Sequence, residues 1–189
     1  PSARSLSSNV RAPMYRFLLA ALLALAAQAA TPAEIETPAG VLVVSLPKTF
    51  EEMPAEEVPL KYGKRTGQLP ARVFANETRG TSVAISWAQW STLEQGDRPL
   101  LKLLARYSEA FSQLRPGLVW LRKQTIEIAG REWLYLEFTV PIRDVLVYNS
   151  YYATISGEDV VLLNASVADS ERSQFADDAA LIRNSLRLK

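Results

Sequence analysis

Residues 123–167 read KQTIEIAGREWLYLEFTVPIRDVLVYNSYYATISGEDVVLLNASV, and this stretch decides the fold class. It contains four segments rich in β-branched, apolar and aromatic residues, which predict strands at 123–129, 132–140, 145–155 and 159–167. Gly130-Arg131 and Ser156-Gly157-Glu158 supply hairpin turns between them. Successive strands joined by such short turns predict an antiparallel sheet.

Both faces of these strands carry apolar or aromatic side chains. Because side chains alternate along a strand, Leu134 and Leu136 face one way while Tyr135 and Glu137 face the other. A sheet that is apolar on both faces needs cover on both faces. We therefore expect a layered α+β domain in which helices pack on the sheet.

Two helices can provide that cover. The first is predicted over 98–114, with Asp97 as its N-cap, and Pro116-Gly117 ends it. Its apolar stripe consists of Leu100, Leu104, Tyr107, Phe111 and Leu114. The second begins at Asp169 or Ser170 and ends near Ser185. It carries Phe175, Ala179 and Ile182.

The region before the first helix adds further strands. Residues 41–46 form one predicted strand, and 71–75 and 81–90 form a strand pair. Residues 51–70 contain three prolines and two glycines and are expected to be mostly loop. The sequence therefore predicts a central antiparallel sheet of about six strands within a single domain at 41–189, preceded by a flexible lead-in at 30–40.

Residues 1–29 have the features of an upstream segment followed by a secretory signal peptide. Arg16 precedes the apolar run 17–27, whose 11 residues are too few to span a bilayer. Ala27 and Ala29 are the small residues that a signal peptidase requires, so we expect cleavage after Ala29. With no cysteine for lipidation, the mature chain is expected to be periplasmic or secreted, without a stable membrane anchor.

Cleavage changes the balance of charge. The precursor has 21 basic and 20 acidic residues, and cleavage removes three arginines and no acid, which leaves a net charge of −2. Nucleic acid is therefore not an expected partner, because proteins that bind nucleic acids present a basic surface to the phosphates.

The chain contains neither histidine nor cysteine. This excludes Ser-His-Asp triads, thiolate nucleophiles, imidazole bases and disulfides. No calcium-loop pattern and no glycine-rich phosphate loop is present either, so we expect no catalytic residue, no metal and no cofactor.

Aromatic residues are the remaining candidates for a site. Eight aromatic residues form a dense set in the sequence: Trp87, Trp90, Trp120, Trp133, Tyr135, Tyr148, Tyr151 and Tyr152. This set predicts either a core beneath two helical layers or a recognition groove. As binding residues we select Trp133, Tyr135, Tyr148 and Tyr152, with Tyr148 or Tyr152 expected to be partly exposed on an open sheet face.

Glu137, like Glu132, lies near Trp133 and Tyr135 on the predicted strand. It could be a half-buried general acid, or a surface carboxylate paired with Arg131 or Arg143. The surface interpretation is favoured because no partner base is visible in the sequence.

The order of these features resembles the PsbP-like fold, and within it the bacterial DcrB-like envelope proteins. The resemblance rests on Leu46-Pro47, Gly130-x-x-Trp133, Leu136-x-Phe138 and Ser185-Leu186. It implies a sheet sandwiched by helices and mostly non-enzymatic roles, with no catalytic motif to transfer.

The function expected from these observations is that of an exported, non-catalytic binding or accessory protein of the bacterial envelope. Its partner would be another envelope protein or a small ligand. Two alternatives stay open: a carboxylate-based envelope hydrolase, and a toxin-immunity or effector-chaperone protein. The sequence does not determine the oligomeric state.

Overall fold

The structure is a computed structural model that describes residues 30–63, 69–91 and 96–189. The predicted signal segment 1–29 lies outside the described residues. The strands are β1 (Thr31–Thr37), β2 (Gly40–Leu46), β3 (Glu51–Glu52), β4 (Arg72–Ala75), β5 (Ser82–Gln89), β6 (Val119–Ile128), β7 (Arg131–Ile142), β8 (Val145–Ser156), β9 (Asp159–Ala168) and β10 (Arg187–Leu188). The helices are α1 (Val58–Tyr62), α2 (Pro99–Leu114) and α3 (Ala176–Ser185), with a 3-10 turn at Asp169–Glu171.

The central layer is an antiparallel sheet in the order β3-β4-β5-β9-β8-β7-β6. It has seven strands, close to the predicted six, and the α+β class is as expected. The meander β6 to β9 follows the predicted segments closely. Ala129 and Gly130 both adopt positive φ, as the tight turn between β6 and β7 requires.

Helix α2 covers one face of this sheet, and its predicted bounds are confirmed to within one residue. Pro99 lies in its first turn, where a missing N–H costs nothing. The predicted stripe needs correction at two positions: Leu103 is buried, whereas Leu114 is 74% exposed. Periodicity identifies the side of a helix that faces the protein, but not how far along the helix the sheet extends.

The opposite face is covered by α3 together with a second sheet in the order β1-β2-β10. The expectation of a flexible lead-in at 30–40 is therefore wrong, since Thr31–Thr37 pairs along its whole length with β2. The side chain of Ile35 enters the core from this strand. The backbone N–H of Ser45 donates to the Oγ of Ser185 at 2.7 Å and ties this sheet to α3.

Strand β6 forms one edge of the large sheet. Its pairing with β7 shifts register between Trp120 and Arg122, which marks a bulge. No helix in the described ranges is long and apolar enough to cross a membrane.

Candidate functional site

The antiparallel register of β7 and β8 brings the predicted aromatic residues onto one face. Tyr135 is opposite Tyr152, and Glu137 is opposite Ser150. The rings of Tyr135 and Tyr152 stack with centroids 5.0 Å apart and an interplanar angle of 22°. Tyr148 lies two residues from Ser150 on the same face of β8.

All four predicted binding residues are buried. Trp133 has no exposed surface, and Tyr135, Tyr148 and Tyr152 are 5%, 5% and 2% exposed. The expectation that Tyr148 and Tyr152 lie on an open surface is therefore wrong, because α3 and the second sheet cover this face. The three tyrosines nevertheless line a cavity, whereas Trp133 belongs to the core.

This cavity of about 250 Å³ lies between α3 and strands β7 and β8. The strands contribute Tyr135, Glu137, Tyr148, Ser150 and Tyr152 to its wall, and the opposite wall is formed by Arg172, Phe175, Ala176, Ala179, Ala180 and Arg183. The space exists because α3 presents alanines where larger side chains would fill the gap to the sheet. We call this space the α3 cavity.

Glu137 is at the centre of the charged groups in the α3 cavity, with only 7% of its surface exposed. Its Oε2 lies 2.8 Å from Nε of Arg122, and its Oε1 accepts a hydrogen bond of 2.5 Å from the hydroxyl of Tyr148. A guanidinium nitrogen of Arg172 lies 4.0 Å from Oε1. The interpretation of Glu137 as a surface carboxylate paired with Arg131 or Arg143 is therefore wrong.

Arg172 also stacks on an aromatic ring. The carbon of its guanidinium group lies 4.1 Å from the centroid of Tyr148, within the range of a cation–π interaction. Tyr148 thus contacts a carboxylate through its hydroxyl and a cation through its ring. Sequence reasoning missed Arg122 and Arg172 because neither is adjacent to Glu137 in the chain. The one available signal was the position of Glu137 on the same strand face as Trp133 and Tyr135.

The tyrosines of the α3 cavity are held in their neutral form. Burial raises the pKa of Tyr135 far above its usual value, and the neighbouring Tyr152 and Glu137 add to this effect. Burial also raises the pKa of Tyr148, and its hydrogen bond to Glu137 acts in the same direction. Both hydroxyls therefore remain hydrogen-bond donors throughout the physiological pH range.

Ser150 lies between Tyr148 and Tyr152 on β8 and is 1% exposed. Its Oγ has no hydrogen-bond partner at normal distance among the described protein atoms. It is still near enough to the Tyr152 hydroxyl to oppose part of the rise that burial causes in the pKa of Tyr152. A buried hydroxyl without a partner is costly. In a cavity wall, such a group is available to a ligand or a water molecule.

The polar groups of the cavity wall can hold a ligand through hydrogen bonds. Both oxygens of the only carboxylate in the cavity wall already have partners in Arg122 and Tyr148. Within the described ranges, no cluster of three or more acidic side chains is placed to hold a metal ion. The remaining polar groups in the wall are hydroxyls and guanidinium groups, which donate hydrogen bonds.

No protein-family model matches the sequence, and no curated protein matches it either. Solved structures do match. The cyanobacterial PsbP protein CyanoP from Synechocystis is 13% identical with a TM-score of 0.59, over 85% of this chain and 94% of that one. LpqN of Mycobacterium tuberculosis, whose structure is described as involved in cell envelope biogenesis, is 15% identical with a TM-score of 0.58, over 84% of this chain and 90% of LpqN.

The yeast Ran-binding protein Mog1p from Saccharomyces cerevisiae is also similar, at 12% identity and a TM-score of 0.51, over 85% of this chain and 96% of Mog1p. At such low identities these likenesses establish the fold alone. The protein has a PsbP-like fold, as the sequence pattern indicated. The closer resemblance to DcrB-like proteins stays a prediction.

Proposed function

We propose that this protein is an exported, non-catalytic binding or accessory module of the bacterial envelope, with the α3 cavity as its binding site. The observation that carries the proposal is the cavity itself, whose wall combines three neutral tyrosines, an unpartnered serine and two arginines. Such a set of donors in a mostly apolar enclosure is typical of a ligand site.

The descriptions of two proteins with similar folds agree with a role in binding at the envelope. One matched structure is of a Ran-binding protein, and another is of a protein involved in envelope biogenesis. Neither their partners nor their pathways transfer at 12% and 15% identity. They do support the use of this fold for recognition and, in the case of LpqN, at the cell envelope.

Export is the part of the proposal that the N-terminal sequence supports. The processed chain should be recovered from the envelope or secreted fraction with Ala30 at its N-terminus, followed by Thr31. N-terminal sequencing checks this. Recovery of an uncut chain from the cytosol would refute export while leaving the binding role to be judged separately.

The binding role is tested on the processed protein purified from its native compartment. Native mass spectrometry should show a component, protein or small molecule, that is retained in a fixed ratio and released on denaturation. Turnover of a glycan or ester substrate that Glu137→Gln abolishes would instead establish the hydrolase alternative. A co-purifying toxin or effector would establish the immunity or chaperone alternative.

A further inference from the structure

The α3 cavity has more positive charge than its own carboxylate can balance. We propose that it binds a small organic anion, a carboxylate or phosphate ester with an apolar body, whose acidic group is held by Arg172 or Arg183. This inference rests on the proposed function and names the class of ligand for the same site.

The charge argument begins with Glu137. Its negative charge is balanced by Arg122, which lies 2.8 Å away and outside the cavity wall. Arg172 is farther from this carboxylate, at 4.0 Å, and Arg183 has no ion pair with it within that limit. Arg172 thus shares Glu137 with the nearer Arg122, and the Nε of Arg183 donates only to the neutral Oδ1 of Asn184, so the two arginines give the wall a net positive charge. Anions are favoured in such a space because its low polarity strengthens charged hydrogen bonds.

Acidic residues near α3 do not offset this charge inside the cavity. Glu171 and Asp178 line a separate cavity on the other side of Phe175, together with Thr49 and Asn76. Asp177 is exposed at the start of α3.

The two arginines mark opposite ends of the cavity. Arg172 lies over the ring of Tyr148, whereas Arg183 is close enough to Tyr152 to act on its hydroxyl electrostatically. Tyr148 and Tyr152 are four residues apart on β8, a distance of about 13 Å along a strand. Ser150 lies midway between them with its hydroxyl unpartnered. An elongated ligand can therefore contact one arginine and the central serine together.

The remaining wall accommodates an apolar body. Ala176, Ala179 and Ala180 form the helix side, and Phe175 closes the wall beside them. A volume of about 250 Å³ corresponds to about eight water molecules at their liquid volume. A benzene ring with one acidic substituent has a suitable size for this space.

The experiment measures binding of defined probes to the processed full-length protein by isothermal titration calorimetry. Benzoate and phenyl phosphate represent the two kinds of acid, benzamide is the neutral isostere of benzoate, and inorganic phosphate lacks the apolar body. We expect at least one of the two aromatic anions to bind with a millimolar or lower dissociation constant. Benzamide and inorganic phosphate should bind about tenfold more weakly or not at all.

Four variants locate the site. Arg172→Gln and Arg183→Gln each remove one wall cation, and at least one should weaken anion binding by about tenfold. Ala180→Leu should abolish binding while leaving the melting temperature unchanged or higher, since it fills the cavity. Arg143→Gln is the matched control, because it removes an exposed cation outside the cavity wall and should not change affinity.

The inference is overturned if benzamide binds as tightly as benzoate, or if no aromatic anion binds at millimolar concentration. It is also overturned if Ala180→Leu and both arginine variants bind like the wild type. Native mass spectrometry judges the proposed binding function separately. If native mass spectrometry shows a partner that all these variants retain, the protein is still a binding module, but its partner uses another surface.

Discussion

Glu137→Gln should destabilise the protein by about 1–2 kcal/mol, although it keeps the shape of the side chain. The carboxylate is 7% exposed and accepts from the Tyr148 hydroxyl at 2.5 Å. Hydrogen bonds to charged groups contribute about 1.5–3 kcal/mol and neutral ones about 0.5–1.5 kcal/mol. Gln can still accept from Tyr148 through its carbonyl oxygen, so the substitution costs the difference between them, about 1 kcal/mol.

The ion pair with Arg122 adds a smaller amount. Because the Arg122 side chain is 61% exposed, solvent screens this pair and its loss costs at most about 1 kcal/mol. Removal of a buried charge also relieves a desolvation penalty, which offsets part of the loss. The net expectation of about 1–2 kcal/mol corresponds to a fall in melting temperature of about 2–8 °C for a chain of this size.

Urea denaturation measures this cost as a lower midpoint with an unchanged slope. Glu77→Gln, at an exposed position in the turn before β5, is the control and should stay within about 0.5 kcal/mol of the wild type. In a double-mutant cycle with Tyr148→Phe, the two costs should not add, since Glu137→Gln weakens the same hydrogen bond that Tyr148→Phe removes. A Glu137→Gln variant as stable as the control, or fully additive costs, would refute the assigned role of this carboxylate.

Three further outcomes are expected. Leu103→Ala should cost about 2–5 kcal/mol in urea midpoints, whereas Leu114→Ala in the same helix should cost less than about 0.5, because these residues are 3% and 74% exposed. The free energy of unfolding should fall as pH rises above about 10, because tyrosine loses its proton there in the unfolded chain, whereas burial keeps Tyr135 protonated in the folded protein. Tyr135→Phe should make this fall smaller when urea denaturation is measured at a series of alkaline pH values. Gly40→Ala should destabilise the protein more than Gly130→Ala. Both glycines have positive φ, but only at Gly40 would an added Cβ overlap a backbone oxygen, that of Lys189 after β10. Equal melting temperatures of the two variants would contradict this.

The sequence predicted the meander well because its local signals and tertiary structure agree. The Gly130 turn joins two segments rich in β-branched, apolar and aromatic residues, and the chain needs no distant contact to choose this pairing. Strand β1 was missed for the opposite reason. Its sequence, TPAEIET, has a proline and two glutamates and forms a strand because β2 pairs with it and Ile35 enters the core.

The candidate site was predicted in part. The sequence selected Tyr135, Tyr148 and Tyr152, and the structure brings all three to one cavity. Their exposure was predicted wrongly because a strand pattern does not reveal which face a later helix will cover. The partners of Glu137 could not be predicted, because Arg122 is brought opposite it by the register of β6 on β7, and Arg172 is brought near it by the tertiary packing of the segment after β9.

The edge strand β6 has a consequence for the behaviour of the protein in concentrated solution. In the part of the chain that the structure describes, no strand pairs with its outer side. Its outward backbone N–H and C=O groups could therefore pair with a strand of another molecule, as at the end of a growing fibril. The register shift beside Arg122 interrupts the even spacing that an added strand would need. The side chains of Arg122, Lys123 and Glu127 are exposed along it, and charged side chains on an edge strand oppose pairing with a second copy. The bulge and these charges together protect the protein against edge-to-edge aggregation.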